Sequence, residues 1–145
     1  MQSPTPAQQA EAPDGGTLLL QAIARVRERF LDAARTLERR SEVRATRTGS
    51  DCRDYLSGTA LEIYLEADVI GRTVCWWLDA TWRGGTWEIS ASVVENRTDK
   101  EYQDELWDSP VRVSTTAESL AVELETAAAQ LLATTVNAEF LAAAV

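Results

Sequence analysis

Six residues at alternate positions of two neighbouring segments are the ones best suited to chemistry: Glu62, Tyr64, Glu66 and Asp68 in the first, Trp77 and Asp79 in the second. Two carboxylates can divide acid–base work when their surroundings hold their pKa values apart. Glu62 and Asp79, expected opposite one another on a sheet, are the pair that would do so. Two aromatic rings inside a rim of acids can instead anchor a basic protein surface, the rings supplying contact and the acids steering and pairing.

The rest of the chain favours binding. It contains no histidine, hence no imidazole base, no Ser–His or Cys–His nucleophile pair and no zinc site of the usual kind. No phosphate-cradling glycine loop or dinucleotide fingerprint is present. The acidic run Asp99, Glu101, Asp104, Glu105, Asp108 lacks the oxygen spacing and central glycine of a calcium loop, and reads as a solvated, irregular stretch. The expectation is a protein that is not an enzyme and that uses no cofactor and no metal. Cys52 and Cys75 are read as free thiols, because two cysteines in a chain of this size make no disulfide framework.

Strict alternation places the candidate residues. Leu61, Ile63, Leu65 and Ala67 alternate with Glu62, Tyr64, Glu66 and Asp68; Val74, Trp76, Leu78, Ala80 and Trp82 with Thr73, Cys75, Trp77, Asp79 and Thr81; Trp87, Ile89, Ala91 and Val93 with Glu88, Ser90, Ser92 and Val94. Such a period of two marks half-buried strands. Gly84-Gly85 is a two-residue hairpin signal, and it predicts Trp82 opposite Trp87, Ala80 opposite Ile89, Leu78 opposite Ala91 and Trp76 opposite Val93. A turn at Ile70-Gly71 would pair Leu65 with Trp76, Ile63 with Leu78 and Leu61 with Ala80. A slip of one residue would invert a strand, so these apolar matches support one another.

A helix is predicted from Thr17 to Ser41, with the stripe Leu19, Ile23, Val26, Phe30, Ala34 and Leu37. Gly49 marks its stop, and residues 42–58 read as a connector. A further strand is expected over Val111–Ser114, after Pro110. The last helix is expected from Thr115, where Thr115 and Glu118 have capping-box spacing. Unbroken to Ala144 it would measure about 40 Å, unless Thr134-Thr135 bends or ends it. Phe140 and Leu141 would then lie beyond the sheet and suit a dimer. Residues 1–16 read as a disordered tail and 17–145 as a single α+β domain. Its expected architecture is a two-layer sandwich of order α-β-β-β-(β)-α, both helices packing on the face of Trp76, Leu78, Trp82, Trp87 and Ile89. Trp107 would anchor the acidic stretch to the sheet edge or touch a partner.

Charge narrows the partners. The net charge is −9, with nine arginines against seven acids in residues 1–53 and five basic residues against sixteen acids thereafter. An acidic surface repels nucleic acid and anionic membrane and attracts basic proteins. The arginines of the first helix interleave with Glu28, Asp32, Glu38 and Glu42 at pairing distances, while Arg44, Arg47 and Arg53 are placed to approach the acidic half of the same chain. No run of about 18 apolar residues exists, and the N-terminus has no signal-like apolar region, so a cytoplasmic location is the default. The preference for arginine over lysine is of the kind seen in GC-rich bacteria.

These readings lead to a small acidic bacterial protein that binds another protein through Glu62, Tyr64, Glu66, Asp68, Trp77 and Asp79. An immunity-type inhibitor of a cognate toxin is the leading expectation. A secretion chaperone acting as a homodimer, a small-molecule module with a pocket between helices and sheet, and a structural subunit of an assembly are the alternatives. Against the sheet-face reading stands the possibility that a helix or a second copy covers Tyr64 and Trp77.

Overall fold

The structure, a computed structural model, describes residues 14–55, 58–99, 101–136 and 138–141. It has an α+β layout: a helix, an antiparallel sheet, and a second helix. The expected tail lies outside the described residues as far as position 13. Positions 14–16 already start the first helix, α1 (Gly15–Glu38), with Asp14 as N-cap accepting from the Thr17 amide at 2.7 Å. Its buried stripe is Ala22, Val26, Phe30, Ala34 and Leu37.

The expected connector is instead a strand. β1 (Val43–Tyr55) forms the sheet edge, pairing along its length with β2 (Gly58–Val69). Gly49, read as a helix stop, sits in the middle of β1 opposite Tyr64. β3 (Arg72–Arg83) and β4 (Thr86–Arg97) complete the long meander in the anticipated register, with Trp82 opposite Trp87 and Leu65 opposite Trp76. Gly84 and Gly85 both have positive φ, as a two-residue hairpin of this hand requires. In the Ile70-Gly71 turn the positive φ falls on Gly71 alone, so isoleucine is tolerated beside it.

Two short strands share the far edge of β4. β5 (Asp104–Asp108) arises from the acidic stretch that was expected to be irregular, and β6 (Arg112–Ser114) is the anticipated further strand, one residue shorter. A bulge between Val93 and Val94 offsets the β5 register. Trp107 pairs with Val93 and packs half-buried against the core, anchoring β5.

α2 (Ala117–Ala133) is capped by Thr116, one residue later than expected, through a bond from the Ser119 amide at 3.1 Å. It ends in a 3-10 turn at Thr134–Val136, followed by the short helix α3 (Ala138–Leu141). The reason is a polar tie. The fully buried Trp76 indole must find an acceptor, and Thr134 Oγ1 supplies it at 3.0 Å while donating to the Leu131 carbonyl at 2.6 Å. The chain then folds back, so Phe140 and Leu141 join the core and do not project as a dimer surface.

Both helices pack on one face of the sheet, against Ile63, Leu65, Trp76, Leu78, Ile89 and Val93. Burial of this face drives folding at about 25 cal/mol per Å² of apolar area. The helices run in the same direction. Glu118 at the start of α2 lies against Gly15 at the start of α1, and Arg25 bonds Glu125 at 2.7 Å further along. The Glu118 carboxylate thereby sits beside the α1 N-terminus, where negative charge is favourable. A buried ionic pair interrupts the apolar face: Arg72 and Glu95 meet across β3 and β4, each almost fully buried. Trp82 departs from the expected core position. It is 38% exposed and pairs with Trp87 at the turn end of the hairpin, ring centroids 5.3 Å apart and tilted by 55°. No helix among the described residues is long and apolar enough to cross a membrane.

Candidate functional site

The face of the sheet away from the helices carries the site. Strand alternation puts the even-numbered side chains of β2, the odd-numbered ones of β3 and the even-numbered ones of β4 on it. The row Gly49, Tyr64, Trp77, Ser92 crosses four strands at its centre. Tyr64 and Trp77 stack with centroids 5.6 Å apart and planes 15° from parallel. Both are half-buried, and among the described residues no helix lies over them. Trp76 and Leu78, their odd-even opposites, are 0% and 1% exposed. The anticipated parity therefore holds.

Gly49 is what lets the tyrosine ring lie down. A Cβ at this position would stand 2.7 Å from Tyr64 Cε1 and closer still to its hydroxyl end. The edge strand thus contributes a bare backbone on which the ring rests. Gly49 was missed as a site residue because a strand through so polar a segment gives no apolar alternation.

The acids fall into two groups. At one end, Arg47 of β1 reaches both Glu66 and Asp68, at 2.8 and 3.0 Å. These bonds hold Asp68 below the ordinary carboxylate range and raise the Arg47 pKa. At the other end, Glu62 and Asp79 sit directly opposite one another, as the alternation predicted. Glu62 is 6% exposed and has Arg53 at 3.7 Å. Burial pushes the Asp79 pKa up; a hydrogen bond from Ser90 at 3.3 Å opposes this, and the neighbouring Glu62 charge adds to it. Arg47 and Arg53 of β1 do approach the acidic half of the chain, so the rim is partly neutralised from within. Carboxylates still outnumber arginines there, since Glu88, Glu105 and Asp108 face the same side.

Between Trp77 and β5 the face dips into a cavity of about 240 Å³, bordered by Glu66, Cys75, Val94, Asn96 and Gln103 as well. Cys75 forms part of its floor, 4% exposed, with a pKa pushed up to about 12 mainly by burial and secondarily by Glu66. It is a thiol at neutral pH and a poor nucleophile. A cavity on the other side of the sheet, between α1 and Ile63, holds only about 80 Å³, well under the roughly 300 Å³ at which small-molecule pockets begin. Among the described residues no group of three or more Cys, Asp or Glu is placed to hold a metal ion.

The arrangement defines a class of surface: an aromatic stack on an uncovered antiparallel sheet, rimmed by acids in excess of arginines. No protein-family model, no curated protein and no solved structure matches the chain.

Proposed function

We propose that this protein binds another protein, one with a basic surface, through the open sheet face, and that it acts as an immunity-type inhibitor of a cognate bacterial toxin. The observation that carries this reading is the Tyr64–Trp77 stack, held half-buried on a face over which no helix lies among the described residues. Large aromatic area left in water is costly unless something uses it, and rings inside a polar, charged rim are the usual anatomy of a binding centre. Tyr64 and Trp77 serve as anchors. Glu62, Glu66, Asp68 and Asp79 steer the partner and pair with its arginines and lysines. The test is growth rescue: the chain is co-expressed with a basic toxin encoded beside its gene. Rescue by the wild type and its loss in Trp77→Ala, at unchanged circular dichroism, is the expected result. Full rescue by Trp77→Ala removes the face from consideration.

A second reading is a dimeric secretion chaperone. The exposed Trp82 beside Trp87 and Thr59 at one end of the helix-covered side favours it. Light scattering decides: a strict monomer at high concentration excludes this reading.

A further inference from the structure

We propose that the cavity beside Trp77 is the receptor for a single arginine side chain presented by the protein partner; this rests on reading the open face as protein-binding. At about 240 Å³ it lies below the range of drug-sized ligand sites and suits one long side chain. Its walls match a guanidinium. Tyr64 occupies one side of the Trp77 indole and is not part of the cavity lining, so the cavity meets the indole away from the stack. An aromatic wall of this kind attracts a planar cation.

Glu66 supplies the counter-charge. Both hydrogen bonds from Arg47 to Glu66 go to Oε2, at 2.8 and 3.0 Å, so Arg47 does not occupy Oε1. The amide side chains of Asn96 and Gln103 on the rim add neutral acceptors. Val94 offers an apolar strip for the methylene stem. A guanidinium has five donors in a flat fork and stacks on indole, whereas an ammonium is a compact, strongly hydrated charge. The geometry therefore favours arginine over lysine. Arg47 already shows how a guanidinium is received on this face, bridging Glu66 and Asp68 from the side.

The test titrates the full-length, ¹⁵N-labelled chain with acetyl-Gly-Arg-Gly-amide and with the same peptide carrying citrulline, the neutral isostere. The arginine peptide is expected to shift the Trp77 indole and Gln103 amide signals saturably, with the citrulline peptide at least about tenfold weaker. Glu66→Gln should weaken the arginine peptide by about tenfold; Asp68 still holds Arg47 in that variant. Val94→Phe fills the cavity without touching a charge and should abolish the shifts. Equal shifts with citrulline, or shifts that survive Val94→Phe, overturn the proposal. The peptide titration judges the cavity and growth rescue judges the toxin-binding reading, so the two fail separately: rescue that persists in Val94→Phe alongside an unresponsive cavity rejects the arginine receptor and leaves the wider surface intact.

Discussion

The helix-covered face and the open face belong to the same strands and share every ladder hydrogen bond, yet they are held together by different physics. On the covered side, Trp76, Leu78, Ile89 and Val93 are sealed beneath α1 and α2, and their contribution is large, non-directional and sensitive to volume. On the open side, Arg47, Glu66, Asp68, Asp79 and Ser90 are ordered by directional pairs at partly exposed positions, each worth little. The difference teaches that burial beneath the helices carries most of the folding energy, while the ionic pairs of the open face add little to it.

The harshest way to break that contrast is to damage the buried Arg72–Glu95 pair on the covered side. Glu95→Ala removes the buried carboxylate that the Arg72 guanidinium bonds and should cost about 3–5 kcal/mol in chemical denaturation, whereas replacing both Arg72 and Glu95 by Met should be neutral or stabilising. Leu78→Ala, one residue from Trp77 but facing the helices, should cost about 2–5 kcal/mol. Wild-type stability in that variant would show the faces to be inverted. Gly49→Ala probes the junction of packing and recognition. The added methyl collides with Tyr64, so a loss of about 1–3 kcal/mol is expected, together with a changed Trp77 near-ultraviolet dichroism signal.

Asp79→Asn sharpens the comparison from the electrostatic side. Asp79 holds its proton more firmly folded than unfolded. Stability is therefore surrendered as pH rises from the ordinary carboxylate range through the raised folded value, and is recovered below it. The asparagine variant should be at least as stable as wild type at pH 7 and should lose this part of the pH dependence, read as urea midpoints at pH 4 and pH 7. Asp68 is the opposite case, its folded pKa being lowered by Arg47. Its contribution is present above the ordinary range and lost as pH falls through the folded value. Exposure keeps it small: Arg47→Ala should cost no more than about 1 kcal/mol, and less at high salt.

The parts of this fold visible in the amino-acid order are those where one physical signal dominates. In β2, β3 and β4, apolar side chains alternate without interruption and glycine-bearing turns lock the phase, so the row from Tyr64 to Ser92 and the Glu62–Asp79 apposition could be read directly. β1 was invisible because an edge strand pairs on one side only and tolerates charge; its sequence from Arg44 to Asp54 alternates nothing apolar. β5 was hidden by its acids and by the bulge at Val93 and Val94 that breaks the count. Trp82 was assigned to the core because it shares a face with Trp76, but the helices do not reach the hairpin end. The reversal after α2 depends on the bond from Trp76 to Thr134, a contact between distant positions that no local pattern encodes.

The side-by-side placement of α1 and α2 has a consequence for biosynthesis. Arg25 and Glu125 touch although 100 positions separate them, so the meander can zip locally as it leaves the ribosome while half of its roof is still unmade. Until the segment from Ala117 to Leu141 emerges, the apolar face of the sheet lacks part of its cover, a nascent species for which any stall in translation just upstream of α2 is costly.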